Sequence, residues 1–402
     1  MMRVLFVDDD PRLLASLRRL LYAHEDIEAG FAGDGPEALA MLDRQEQDIL
    51  VADMRMPGMD GVQLLEQVRD RHPRTVRIVL SGHSDQEMVM RSVKLAHQYL
   101  SKPCSFEELT STLTRVYTLR EVFTDATVAA AVTSIETLPV LPRVYEELME
   151  ELRRDGCSLE AMGRIVSRDV TLTAGLLKVV NSSFFGLRRT ITSPEQAVTY
   201  LGTDILRGLI LYNNLFSTFD QNRHPGFSFD RLWTHSLTTA RFAKAICELE
   251  HKPIPPDEAF NAGLLHDVGK LVLADKLAIR YADALELVRS EHITVWAAEK
   301  AVLGVSHAEL GGYLLGLWGF SESLVKAVWG HHEISRYSKP PQPLLGILHA
   351  ANVLEHELVV LNPDYVKPEL DAENALAHGV TPEKFAAWRD ACAEVLKEIE
   401  AQ

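Results

Sequence analysis

Only four cysteines occur in the 402 residues, and no two of them are spaced C-x-x-C. Cys104, Cys157, Cys247 and Cys392 are too scattered for a thiolate metal knuckle, and free thiols fit a reducing compartment better than a disulfide frame. Long apolar runs are also missing. Nothing approaches the roughly 20 residues that a membrane span needs, and the "VLFV" ahead of "DDD" is too short for the core of a secretory signal. Positive charge is scarce: 41 Lys and Arg stand against 57 Asp and Glu, a formal net charge of −16. Beyond pairs such as Arg18-Arg19 and Arg188-Arg189 there is no basic block. A surface of that sign repels phosphate backbones, so nucleic acid is not an expected partner. Low-complexity tracts are absent as well, and a 47% hydrophobic, 24% charged composition is that of folded protein. These absences predict a cytoplasmic chain of two or three domains, at roughly 150 residues each.

What is present divides the chain in two. Through residue 120, Arg3–Val7, Ile27–Phe31, "DILVAD", "RIVLS" and "QYL" read as strands. Between them, Pro11–Ala23, Pro36–Arg44, "GVQLLEQVRD", "DQEMVMRSVKL" and "SFEELTSTLTRVYTL" have helical periods. The alternation predicts a doubly wound α/β domain over residues 1–120, a five-stranded parallel, flavodoxin-like sheet covered on both faces. Residues 121–135, led into by Phe106, Leu109, Leu113, Val116 and Leu119, read as a helical linker and a candidate dimerising element. From residue 136 to 402 the periods are helical, with Pro- and Gly-marked breaks and no convincing strand. That half is expected to be all-α, with helices starting at caps such as Ser158 and Asp169 and one more amphipathic helix in "TPEKFAAWRDACAEVLKEIEAQ".

Each strand end of the first domain carries a polar residue. Asp8 and Asp9 follow the first strand, Asp53 ends the third, Ser81 ends the fourth and Lys102 follows the fifth. Right-handed crossovers bring these positions to one edge of the sheet, where such sheets gather ligands. Crowded carboxylates require a cation, and hard, oxygen-ligated Mg²⁺ suits them. A carboxylate such as Asp53 can then attack phosphorus, with Ser81 and Lys102 placed for the phosphoryl oxygens.

"VLFVDDD", "DILVADMRMPGMDGVQLL", "IVLSGHSD" and "QYLSKP" resemble the receiver domain of two-component response regulators. The resemblance implies that Asp53 is the phosphoacceptor and that Asp8, Asp9, Asp53 and the Arg55 backbone carbonyl hold Mg²⁺. It further implies that Ser81 and Lys102 are the switch hydroxyl and the lysine, and that a cognate histidine kinase is the phosphoryl donor. Tyr99 is either the aromatic whose position reports phosphorylation or an ordinary sheet-edge ring.

The second half offers His235, His266, Asp267, His307 and the pair His331-His332 as candidate ligands. A single histidine on an apolar helix is ordinarily core. Six ligand-type residues on separate helical segments suit Zn, Mn or Fe instead, and two such metals activate water against a phosphodiester. The competing reading keeps His266 and Asp267 hydrogen-bonded inside a helical core, with Lys270 pairing to Asp267 or capping its helix. Trp233, Trp318 and Trp329 read as core beside these histidines, and "NSSFFG" as a packed turn.

"LWTHSLTTA", "AFNAGLLHDVGKLVL", "SHAELGGYLLGLWGF", "VWGHHE" and "LGILHAANVLEH" resemble the HD superfamily of metal phosphohydrolases. "IETLPVLPRVYEEL", "IVSRDVTLTAGLLKVVNSSFFG" and "SPEQAVTYLG" narrow the resemblance to the HDOD domain, the HD-related output domain of bacterial signalling proteins. In that family HD elements often survive with no hydrolase activity implied. Two departures point the same way: Asn352 stands where catalytic HD proteins carry a last aspartate, and "HHEISRYSKPP" lacks the Gly-Tyr-Pro signature of the cyclic-di-GMP-cleaving branch. The expectation is a phosphorylation-controlled response regulator whose Asp53 controls a non-catalytic HDOD domain that binds a downstream protein. The alternative is a receiver-regulated metal-dependent phosphodiesterase.

Overall fold

The computed structural model covers the chain. It describes all residues except 23, 82–91, 93–94, 121–138, 141–143, 145–146, 149, 152–153, 155–156, 182–189, 208–216, 219–226, 251–253, 338–339, 360–365 and 401–402. The linker expected at 121–135, most of the helix expected in "DQEMVMRSVKL" and the turn in "NSSFFG" after Asn181 lie outside the described residues.

Strands β1 (Met2–Val7), β2 (Ile27–Ala32), β3 (Ile49–Asp53), β4 (Val76–Ser81) and β5 (Gln98–Ser101) form one parallel sheet in the order β2-β1-β3-β4-β5. Helices α1 (Pro11–Leu21), α2 (Gly35–Arg44), α3 (Gly61–Arg71) and α4 (Phe106–Arg120) accompany it. β3 is buried along its whole length, which explains its unbroken apolar run. Asp10, Asp34 and Asp60 cap α1, α2 and α3 by accepting backbone N–H groups, so the chain turns into a helix soon after a strand end. Register then aligns the polar residues. Val7 pairs with Ala52, so Asp8 and Asp53 emerge side by side, and Ser81 pairs with Ser101, one residue before Lys102.

The second half is built of α5 (Leu159–Val166), α6 (Val170–Val180), α7 (Pro194–Arg207), α8 (Phe229–Glu250), α9 (Pro256–Leu265), α10 (Val268–Lys276) and α11 (Ala278–Glu291). It continues through α12 (Val295–Leu303), α13 (His307–Leu317), α14 (Glu322–Gly330), α15 (Pro343–Leu358), α16 (Ala372–Ala377) and α17 (Pro382–Glu400). Ser158 and Asp169 cap α5 and α6 as expected. The expectation of no strand is corrected: β6 (Pro139–Val140) and β7 (Ser217–Thr218) pair in parallel. Two residues are too few to establish an alternating pattern, so this ladder has no signature in sequence. Trp388 of α17 is fully buried and donates from Nε1 to Glu250 at the end of α8, while Lys384 pairs with the same carboxylate. The last helix thereby closes the core. Among the described residues no helix is long and apolar enough to cross a membrane.

The two halves touch through β5, the residues just before it and α4 of the sheet domain, and α6 and α13 of the helical one. Gln98 donates from Nε2 to the Gly316 carbonyl at 3.1 Å, and Arg115 donates to the Gln98 amide oxygen at 3.1 Å. Lys178 donates to the Ala96 carbonyl at 3.1 Å, with its ammonium 5.0 Å from the Trp318 ring centroid.

Two glycines set the helix spacing that matters most. A Cβ on Gly263 would lie 2.5 Å from Ala240 Cα, where α9 crosses α8. A Cβ on Gly269 would collide with the His307 carbonyl, where α10 meets the start of α13. Gly269→Ala is therefore expected to cost about 1–3 kcal/mol through overpacking, read as a lower urea midpoint, whereas Ala→Gly at exposed Ala372 should shift it far less.

Candidate functional site

At the carboxyl edge of the sheet, carboxylate oxygens of Asp8, Asp9 and Asp53 lie within 4.8 Å of one another. Lys102 Nζ bridges Asp8 at 2.6 Å and Asp53 at 2.7 Å, and the Arg55 backbone N–H donates to the other Asp53 oxygen at 3.2 Å. Burial raises the Asp53 carboxyl above its usual range despite the opposing Lys102 contact. Burial works against the Lys102 ammonium, yet its bonds to Asp53 and Asp8 hold it above its usual value. One ammonium among three carboxylates leaves negative charge in excess, and an all-oxygen donor set suits a hard divalent cation. Tyr99 is buried with its hydroxyl 3.1 Å from Ser92 Oγ. The Ser81 side chain lies outside the described residues.

In the helical half, five elements converge on one buried carboxylate. α8 carries His235, His266 caps the end of α9, Asp267 precedes α10, His307 opens α13, and the pair His331-His332 follows α14. Asp267 occupies an N-cap position but makes no cap bond. Its carboxylate turns inward instead. Oδ2 lies 3.5 Å from both His235 Nε2 and His266 Nε2, and Oδ1 lies 3.1 Å from His307 Nε2 and 3.9 Å from His331 Nε2. His332 Nε2 is 3.0 Å from His307 Nε2. The candidate ligands thus form two lobes that share Asp267. Lys270 pairs with Asp267 Oδ2 at 2.6 Å, one of the two roles expected of it.

The outer faces of the imidazoles are held in a repeated manner. His235 Nδ1 lies 2.7 Å from Glu355, and His307 Nδ1 lies 2.6 Å from Glu299. His266 and His331 each place Nδ1 on the carbonyl three residues back, Gly263 at 2.7 Å and Val328 at 2.6 Å. A carbonyl cannot donate, so Nδ1 carries the proton and the neutral ring turns a lone pair inward at Nε2. Outer-face acceptors of this kind orient metal-bound histidines. His235 Nε2 and His266 Nε2 stand 3.0 Å apart. With Glu355 ionised, both would present lone pairs, which repel unless a proton or cation lies between them. Donor atoms sharing a metal at about 2.1 Å lie roughly 3.0–3.4 Å from one another, so the spacing fits a cation. Asp267 Oδ1, His331 Nε2 and both polar atoms of the Asn352 amide are buried without a hydrogen bond of ordinary geometry, which fits it too. His235, His266, Asp267, His307, His331 and His332 could hold one or two transition-metal ions.

Burial pushes His235 and His266 down to about 4 and holds His331 and His332 well below the usual range. Burial opposes ionisation of Asp267, but His266, Lys270 and His307 keep it well below the usual carboxylate range. Burial likewise works against a charged His307, yet Glu299 raises it. Glu355 is pushed up to about 7 by burial.

All of the sequence-derived HD-like residues, Asn352 included, meet here. Glu299, Glu355, His356 and Trp296 were not foreseen. Trp296 stacks on His332 with ring centroids 4.0 Å apart. A cleft bordered by His235, Asp267 and Asn352 is also lined by Arg231, Lys270, Arg289 and Lys367. That is a concentration of positive charge on a chain of net charge −16.

Comparison with known proteins matches residues 4–114 to the response regulator receiver domain and residues 138–334 to the HDOD domain. The crystal structure of the MmoQ response regulator from Methylococcus capsulatus is 25% identical with a TM-score of 0.50, covering 63% of this chain and 98% of that one. An uncharacterized protein of Treponema pallidum is 26% identical over 226 residues, 54% of this chain and 42% of that protein. The hydrogenase transcriptional regulatory protein HoxA of Cupriavidus necator is 40% identical over 112 residues, 27% of this chain and 23% of that protein. The chain thus spans less than half the length of these two relatives.

The buried imidazoles fix a direction of pH dependence. His235, His266 and His356 titrate near 4 in the folded state and near 6.5 in the unfolded chain, which therefore binds more protons between those values. Glu355 and His307 act in the opposite direction but are outnumbered. With chelator present, the urea midpoint should fall as pH drops from about 6.5 towards 4; a midpoint that is flat or rises over that window would contradict the neutral-imidazole assignment.

Proposed function

Because this chain joins a response regulator receiver domain to an HDOD domain, we propose that it works as a phosphorylation-controlled switch. The phosphoryl donor is a phosphohistidine of a cognate kinase. An Asp53 oxygen attacks its phosphorus, the new O–P bond forming as the P–N bond breaks and the imidazole leaves. The observation that carries this reading is the Lys102 ammonium shared between Asp8 and Asp53 at the sheet edge, a nucleophilic carboxylate already beside the charge a phosphoryl group needs. Asp8, Asp9, Asp53 and the Arg55 carbonyl would hold Mg²⁺, which when bound offsets the negative charge of the incoming group. Ser81 and Lys102 then take the phosphoryl oxygens, and Tyr99 follows the rearrangement.

Coupling to the helical half runs through β5 and α13. β5 ends beside Lys102 and begins at Gln98, which holds the Gly316 carbonyl near the end of α13. The other end of α13 carries His307, about 14 Å away along a helix rising roughly 1.5 Å per residue. A change at the Lys102 end of β5 alters this contact and with it the surface offered to a downstream protein. Cytoplasmic placement and a homodimer formed through residues 121–135 belong to the same proposal.

A second reading, a metal-dependent phosphohydrolase under receiver control, is favoured by the two-lobed cluster and the cations of the adjoining cleft. Mn, Fe or Zn held there would polarise water and a phosphoryl oxygen. Arg231, Arg289 and Lys367 would attract a phosphorylated ligand, and Trp296 offers an aromatic face.

Two measurements test these readings. Acetyl phosphate with Mg²⁺ should add one phosphoryl group to the intact mass of the wild type and none to Asp53→Ala. Beryllofluoride should change hydrogen exchange across β5, α4 and α13, and no change there would sink the switch. For the second reading, Mn²⁺-loaded protein should release product from a cyclic dinucleotide or nucleotide, with Asp267→Ala at least 100-fold slower; absence of turnover by metal-loaded wild type leaves the output domain a binding module.

A further inference from the structure

Asn352 removes a carboxylate from the His235 lobe, yet the lobe has a carboxylate from another source. Glu355 lies three residues on along α15, so it shares the helix face of Asn352, and both side chains are fully buried. Its Oε2 is 2.7 Å from His235 Nδ1, and its Oε1 is buried without a hydrogen bond. His356 meets His235 edge-on, with ring centroids 4.7 Å apart, and its Nδ1 lies 3.0 Å from the Asn352 carbonyl and 3.4 Å from Glu355 Oε2. The second lobe provides an internal comparison, because Glu299 holds His307 Nδ1 at 2.6 Å in the same way. Each lobe therefore contains one imidazole backed by a buried glutamate and one backed by a carbonyl, and the second lobe adds His332, whose Nδ1 is buried without a hydrogen bond.

We propose that Glu355 supplies, through His235, the negative charge that Asn352 does not, and so keeps the His235–His266–Asp267 lobe able to bind a divalent cation. This rests on the metal-holding reading of the cluster. A carboxylate accepting from Nδ1 makes Nε2 a stronger donor and fixes its direction, and loss of such an outer partner typically weakens metal binding about 10–100-fold. Glu355 is a positioning residue in this account: it contacts the ligand, while the cation meets Nε2. The departure at Asn352 moves a charge outward by one helical turn and leaves the lobe's donors in place.

The test is Mn²⁺ titration of the full chain against a competing chelator, every protein carrying Asp8→Asn and Asp53→Asn so that the carboxylates at the sheet edge do not contribute, with equivalents counted by metal analysis after gel filtration. In that background the unaltered helical cluster is expected to bind two equivalents. Glu355→Gln should keep one at unaltered affinity and bind the other about 10–100-fold more weakly. The double variant Asn352→Asp with Glu355→Gln, which carries as many buried carboxylates as the unaltered cluster, should recover the second equivalent. Circular dichroism checks the fold of each variant. Unaltered binding by Glu355→Gln overturns the proposal, as does a double variant that stays at one equivalent. If Glu355→Gln fails to fold, the double variant against the unaltered cluster decides alone. An unaltered cluster that takes up no Mn²⁺ overturns the metal-holding reading itself, an outcome distinct from two equivalents that ignore Glu355.

Discussion

The helical half is organised by one desolvated carboxylate. A charge as deeply buried as Asp267 is costly unless it is compensated from several directions. Lys270 and the imidazoles of four separate elements supply that compensation. Their convergence constrains the backbone around them: α9 must approach α8 at Gly263, and α10 must approach α13 at Gly269, closer than any side chain would permit. The motif "HDVGK" therefore combines chemistry and packing. His266 and Asp267 provide donor atoms, Lys270 provides charge, and Gly269 provides the close contact that brings His307 to the same point.

Both halves of the chain solve a similar electrostatic problem with different chemistry. At the sheet edge, carboxylates crowd around a single ammonium and the donor atoms are all oxygen. In the helical core, imidazoles outnumber carboxylates and their lone pairs are turned inward. The first set suits a hard ion and a phosphoryl group; the second suits a borderline transition metal. β5 and α13 lie between them, linked by the hydrogen bond from Gln98 to the Gly316 carbonyl.

Most of the sheet domain could be read from sequence because strand ends, Asp caps and unbroken apolar runs are local signals. The helical half was legible as helices for the same reason, while the β6–β7 ladder was too short to register. In the cluster, the histidines and Asp267 were found because they stand in recognisable local motifs. Glu299 and Glu355 were not, because each acts on an imidazole of a different helix: eight residues before His307 in the preceding helix, and 120 residues after His235. Glu355 lies within the stretch "LGILHAANVLEH", but nothing in that stretch shows that its carboxylate meets His235. The significance of Asn352 was correspondingly incomplete in sequence, since the loss was visible and the neighbouring carboxylate's partner was not.

The hydrogen bonds between the two halves share a property with consequences for how such a pair of domains drifts over time. Gln98 and Lys178 both donate to main-chain carbonyls, Gly316 and Ala96, so the accepting side of each bond is indifferent to which side chain stands there. Substitutions at the accepting positions leave the acceptor in place so long as the backbone keeps its course. Within these two bonds identity is demanded of the donors, and of Arg115 and Trp318, which hold Gln98 and Lys178 in place. A junction of this kind lets the surfaces of the two domains diverge almost independently while a pair of long polar side chains preserves the docking angle.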